Sequence, residues 1–311
     1  MRLAPIALFV YNRKETTLNT IEALKNNYLS KESDLIIFSD GPKNEEDKRI
    51  ITELRSIISK TTGFKSLKIY NSNLNKGLAN SIINGVTLIL KEYNSVIVME
   101  DDLVSTPNFL DFMNANLDKY YNKKNIISIN GYSLKVKRGK ENLSYDNYFV
   151  NRPYSWGWGT WKHDWEDFLS IYDNIIYEEI FNPKLNTLMG KDVSRMLERT
   201  LNGKVNSWYS KWIYYHFIIK GVSVYPYESK IVNIGFDDKG THCKNINSNI
   251  SLVDNSNSRK FNLKEAISVD PKTNSRFLKY FSFQHKLFFR LSLLFKNGGL
   301  KALVKELKSR I

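Results

Sequence analysis

Cysteine is almost absent. The single Cys243 in 311 residues excludes an intrachain disulfide framework and a thiolate zinc cage. Histidine is scarce too, at four residues, so any hard-cation chemistry falls to carboxylates. No run of 18 apolar residues occurs, and no membrane-spanning helix is expected. Glycine is missing from the first strand-to-helix turn, Tyr11-Asn12-Arg13-Lys14, and no Gly-Lys-Ser/Thr loop follows any strand. The dinucleotide fingerprint and the phosphate-cradling loop are thereby excluded. The opening Leu3 to Val10 passes straight into polar residues without a small-residue cleavage pattern, so it is expected to be a first strand rather than a leader.

Positive charge is in excess, at a formal +14, but it is unevenly placed. Arg276 to Ile311 holds nine Lys or Arg against one acid, Glu306, and so carries +8 of the total. These cations are interleaved with Phe277, Phe281, Phe288 and Phe289. A basic, amphipathic helical tail of this kind suits an anionic membrane surface. A helix packed on the body with its basic side in water is the alternative. We expect a cytoplasmic chain, peripheral at the inner face of the membrane, with no nucleic-acid partner.

Apolar runs at 4–10, 35–38, 67–70 and 96–99 alternate with helical patterns at 14–26, 45–61 and 75–93. This order predicts an α/β fold with a mostly parallel sheet flanked by helices. A helix over 108–121 and strands at 126–129, 222–226 and 231–236 continue it, with helices in pieces over 172–201 and at 209–219. Residues 237–259 read as loop. No linker divides the chain. Residues 1–103 and 104–275 are expected to form two halves of one body, with 276–311 as a tail.

In such folds ligands gather beyond the carboxyl ends of the strands. Three polar stretches fall there: Asn12-Arg13, Ser39-Asp40-Gly41 and Glu100-Asp101-Asp102. Three adjacent acids repel unless protons, donors or a cation compensate them. Mg²⁺ or Mn²⁺ would do so, completing its shell with phosphate oxygens. Side chains alternate along an extended chain, so Glu100 and Asp102 point one way and Asp101 the other; Asp102 is the expected ligand. An acidic turn capping the next helix would read the same. Arg13 suits a phosphate, a nucleobase or a helix cap. Trp156 and Trp158, separated by Gly157, suit sugar stacking or a core.

The ordered set resembles GT-A nucleotide-sugar glycosyltransferases. It is most similar to the N-acetylglucosaminyltransferase I family and to bacterial surface-polysaccharide glycosyltransferases. The resemblance rests on Pro5 to Arg13, Ser39-Asp40-Gly41, Asn75-Lys76-Gly77-Leu78-Ala79, Glu100-Asp101-Asp102, Pro153 to Trp161, and Asn233 through His242. It implies transfer of a sugar from a UDP-linked donor, an N-acetylhexosamine in the nearest family, with inversion, to a glycan or lipid-linked glycan. Asn12, Arg13, Asp40, Gly41, Lys76, Gly77, Glu100, Asp101, Trp156 and Trp158 would then hold the donor. Asp102 and His242 would hold Mn²⁺ or Mg²⁺. The family's base comes from a Trp-Asp-Asp-Trp-like stretch; here it reads Trp208-Tyr209-Ser210-Lys211-Trp212, without the acid. Asp237, Asp238, Asp164 and Glu166 are the substitute bases, Asp237 first, because Gly235 and Gly240 bound its loop. Another metal-dependent nucleotide enzyme, a nucleotidyltransferase or phosphatase, or a non-catalytic basic binding protein, are the competing readings.

Overall fold

Strand β1 (Ile6–Val10) is apolar at every position and wholly buried. Its side chains alternate, so Ile6, Leu8 and Val10 enter one hydrophobic layer while Ala7 and Phe9 enter the other. One strand thus sets the two faces of the core. The computed structural model describes residues 3–139, 142–235, 252–282 and 284–285.

After β1 come α1 (Lys14–Lys25), β2 (Asp34–Ser39), α2 (Glu45–Ile58), β3 (Ser66–Asn71), α3 (Gly77–Leu90) and β4 (Ser95–Glu100). Short β5 (Leu103–Ser105) leads to α4 (Phe109–Lys119) and β6 (Ile126–Asn130). The second half contributes β7 (Asn147–Val150), β8 (Trp158–Trp161), α5 (Lys162–Ile171), α6 (Pro183–Met189), α7 (Val193–Leu201) and α8 (Trp208–Ile218). It continues with β9 (Val222–Pro226), β10 (Ile231–Asn233) and α9 (Pro271–Lys279).

The main sheet runs β3-β2-β1-β4-β8-β6-β9-β7. Strands β3, β2, β1 and β4 are parallel. Strand β8 reverses against both β4 and β6, β9 returns parallel to β6, and β7 closes the edge antiparallel. The expected mostly parallel α/β sheet is therefore present, with helices on both faces. A separate two-stranded sheet pairs β10 with β5, setting Asn233 opposite Leu103.

Strands β7 and β8 and helix α5 lie in the aromatic stretch, where apolar residues on every face conceal the periodicity. Helix α9 shows that the division at 275/276 cuts a helix: Phe277 is fully buried, its ring 4.8 Å from that of Tyr225. The start of the tail therefore belongs to the body. Residues 286–311 lie outside the described residues. Among the described residues, no helix is long and apolar enough to cross a membrane.

Candidate active site

The register Phe9↔Glu100 puts the acidic triplet level with the end of β1, beside the turn that carries Asn12 and Arg13. Arg13 lies between two of the acids. Its guanidinium pairs with Asp101, and its Nη1 stands 2.9 Å from Asp102 Oδ2. The backbone N–H of Tyr11 donates to Asp101 Oδ2 at 3.3 Å. Burial works against the Arg13 charge, but Asp101 and Asp102 more than offset it and push its pKa up. Burial raises Asp101 to about 6 despite the pull of Arg13. Glu100 is held above the usual carboxylate range by burial and by Asp102 and Asp101.

A fourth element reaches this cluster. Pairing of β10 with β5 delivers Ile234, whose N–H donates to Asp102 O at 2.8 Å. Gly235 follows, with its N–H on Asn233 Oδ1 at 2.8 Å. A Cβ at Gly235 would lie 2.1 Å from Asp102 Oδ2, so a residue larger than glycine would displace the carboxylate.

The second polar stretch is held by its own network. Asp40 Oδ1 accepts from the N–H of Gly41 (2.8 Å) and of Lys76 (2.9 Å), and Oδ2 accepts from the N–H of Gly77 (2.9 Å). The carboxylate thus meets N–H groups at the start of α3, where the helix dipole favours negative charge. Arg55 on α2 donates to the carbonyls of Ser39, Asp40 and Ser72 at 3.1, 3.0 and 2.8 Å. Asn12 and Tyr11 donate to Asp47 at 2.6 and 2.5 Å. Those donors hold the Asp47 carboxyl below its ordinary value, the Tyr11 bond foremost. Asn12, Arg13, Asp40, Gly41, Lys76, Gly77, Glu100, Asp101 and Asp102 accordingly gather along the carboxyl ends of β1, β2 and β4.

The aromatic pair divides. Trp156 precedes β8 at the same end of the sheet, with its ring 4.7 Å from Tyr132 and 5.1 Å from Tyr154. Trp158 is fully buried and stacks on Trp208 at 4.9 Å, with Trp212 and Trp165 beside it. Its ring is core, and donor contact is ruled out by burial.

Asp164 and Glu166 lie elsewhere. Strand β8 runs antiparallel to β4 with Trp161 opposite Ser95, so α5 starts at the amino end of β4, away from the acids. Asp164 is buried there, with its pKa pushed up to about 8 by burial and by Asp167. Glu166 is exposed beside Lys162. Neither can reach a hydroxyl at the acidic triplet. At the altered family stretch, Tyr209 donates to Pro153 O at 2.9 Å, and Ser210 lies 2.9 Å from Thr200. Asp237, Asp238 and His242 lie outside the described residues.

Sequence reasoning did not single out Asp47 or Arg55. Asn44-x-x-Asp47 has capping-box spacing, and Asn44 does accept from the Asp47 N–H at 2.8 Å, but that signal marks a helix start only. Among the described residues no group of three His, Cys, Asp or Glu converges as a metal cage. The donor set does fit a hard cation that takes one or two carboxylates from the protein and the remaining oxygens from its ligand.

The profile described as glycosyl transferase family 2 matches residues 6–177. No curated protein matches the chain. Solved structures similar to it include mannosyltransferase PcManGT from Pyrobaculum calidifontis, in complex with GDP-Man and Mn²⁺. It is 10% identical over 54% of this chain and 46% of its own, with a TM-score of 0.33. S. aureus TarS 1-349 is 14% identical over 59% and 53%, with a TM-score of 0.35. Mycobacterium tuberculosis glucosyl-3-phosphoglycerate synthase, in complex with Mn²⁺, UDP and glucosyl-3-phosphoglycerate, is 15% identical over 52% and 57%, with a TM-score of 0.33. The match spans about half the length of each of these structures.

Proposed function

Because the chain belongs to glycosyl transferase family 2, we propose that it moves a sugar from a nucleotide diphosphate donor to a glycan or lipid-linked glycan of the bacterial surface. The observation that carries this reading is the meeting of Arg13, Asp101, Asp102 and Gly235 at the carboxyl end of β4. That is where a parallel sheet presents ligands.

Asp102 would hold the Mn²⁺ or Mg²⁺ ion, with His242 as a further ligand. When bound, the ion neutralises the leaving diphosphate. Arg13 fixes the rotamers of Asp101 and Asp102, and its charge favours an anion at the same place. The Ser39-Asp40-Gly41 turn, clamped by Arg55 and tied to α3, offers a rigid edge for the nucleobase, a uracil on the family resemblance. Trp156 lines the sugar side. Asp237 serves as the base on the acceptor hydroxyl, or Asp238 does, as direct inversion requires. Asp237 is two residues from Gly235, about 7 Å of chain at most. The N-acetylhexosamine follows the resemblance alone. The basic tail beyond α9 supports a station at the inner face of the cytoplasmic membrane.

Calorimetric titration of UDP with Mn²⁺ tests the donor site. Wild type is expected to bind, and Asp102→Asn at least tenfold more weakly; equal affinity would overturn the assignment. Release of UDP from a UDP-sugar only when a glycan acceptor is added separates a transferase from a nucleotidyltransferase or phosphatase.

A further inference from the structure

The segment that leaves β6 at its carboxyl end alternates strictly. Leu134 and Val136 are buried, while Lys135 and Lys137 face outward. Opposite them lies α9, held by Phe277, which presents Arg276 and Lys279 three residues apart on one exposed face. Two bonds join the elements: Tyr280 Oη donates to Lys135 O at 2.8 Å, and Arg276 Nη1 to Lys137 O at 3.1 Å. Between them is a cleft of about 230 Å³ lined by Lys135, Lys137, Arg276, Lys279, Tyr280 and His285.

Four fixed cations and a histidine converge there with no carboxylate among the described lining residues. The nearby acid Glu228 is already taken up by Arg138, at 3.7 Å. Such a cluster is self-repelling unless an anion shares it. The carbonyl end of α9 also points here, so attraction comes from the side chains and not from the helix dipole. The cleft is not the donor's. One wall, α9, packs on β7, four strands from β4 in the sheet order, and none of the lining residues belongs to the acidic cluster. Tyr132, three residues before Lys135, packs on Trp156 and Tyr154, so the cleft and the active-site wall are parts of one segment.

We propose that this cleft is a second phosphate-binding site, which holds a phosphate or diphosphate group while the donor occupies the acidic triplet. The group belongs either to the acceptor or to a bilayer headgroup. Assigning it to an acceptor rests on the proposed sugar transfer, whereas the cleft's affinity for phosphate does not.

The probe is inorganic pyrophosphate, titrated calorimetrically into the full chain in EDTA so that no metal recruits it to the donor site. Wild type and Asp102→Asn are expected to bind alike, and Lys135→Ala/Lys279→Ala at least tenfold more weakly. Both lysines are exposed, and a circular dichroism melt checks the fold. Removing the same two charges at exposed Lys60 and Lys91 is expected to change nothing. Undetectable binding to wild type, or equal loss from the Lys60/Lys91 control, overturns the site. UDP–Mn²⁺ affinity, measured separately, fails alone if only the donor reading is wrong. Sedimentation with phosphatidylglycerol and with phosphatidylcholine vesicles identifies the source. Loss of phosphatidylglycerol binding in the double variant assigns a headgroup; weakened pyrophosphate binding with unchanged vesicle binding assigns the acceptor.

Discussion

The α-carbon of Gly235 sits against the Asp102 carboxylate: a methyl group added there would lie 2.1 Å from Asp102 Oδ2 and 2.8 Å from Arg13 Nη1. The contact couples two distant parts of the chain. Gly235→Ala must push the carboxylate off Arg13 while leaving the sheet untouched. The expected result is a loss of UDP–Mn²⁺ affinity of tenfold or more with a melting temperature within a few degrees of wild type. Wild-type affinity in this variant would show that Asp102 does not depend on its present position.

Asp40 supports a second prediction. It accepts three backbone N–H groups, those of Gly41, Lys76 and Gly77. Asp40→Ala leaves them without that partner and should cost about 1–3 kcal/mol. Because the same bonds tie the turn after β2 to α3, KM for the donor should rise severalfold, while kcat falls less. Asp40→Asn keeps one acceptor oxygen and should fall between. A stability loss with unchanged KM would confine Asp40 to a structural role.

The grouping of these residues at one end of the sheet is legible in the sequence. Strands β1, β2 and β4 are apolar runs ended by polar residues, and that contrast alone placed Asn12, Asp40 and Asp101 at one end of a sheet. Burial on both faces is what makes such runs continuous. Arg55 and Asp47 were not readable, because the partners that tie them to the strand ends lie 15 to 36 residues away, and the local cap at Asn44 marks a helix start only. The placement of Asp164 failed for a related reason. A segment following an aromatic stretch carries no sign of strand direction, and the antiparallel β8 sends α5 to the wrong end. Gly235 was seen as a loop boundary; its contact with Asp102 depends on the β5–β10 pairing, which two three-residue strands scarcely announce.

The two tryptophans separate stability from binding. Trp158 is enclosed by Trp165, Trp208 and Trp212. Trp158→Phe should cost about 1–3 kcal/mol and leave KM values where they were. Trp156→Phe keeps an aromatic ring against Tyr132 and should stay within about 1.5 kcal/mol of wild type. If it lines the sugar side, its donor or acceptor KM shifts severalfold. Denaturant unfolding alongside steady-state kinetics reads both quantities, and unchanged kinetics in Trp156→Phe would remove that residue from the site.

Asp164 ties a buried acid to pH. It is 4% exposed, Oδ2 makes no hydrogen bond among the described residues, and burial with the nearby Asp167 pushes its pKa up to about 8. An unfolded chain has the ordinary value of 3.8. Between these values the folded state holds a proton that the unfolded state has released. Stability from this group is therefore full below pH 3.8, declines as pH rises, and is gone above about 8. Asp164→Asn cannot ionise and escapes that decline. Relative to wild type its stability should rise from pH 5 to pH 8.5, by up to about 1.4 kcal/mol for each pH unit below about 8, read as a widening gap in melting temperature. His163 Nε2 lies 3.1 Å from Asp164 Oδ2, and burial lowers its pKa, so it adds a pH dependence of its own. Making the comparison in a His163→Gln background removes that contribution. Melting curves for the two proteins that run parallel from pH 5 to 8.5 would mean that Asp164 is ionised throughout, despite its burial.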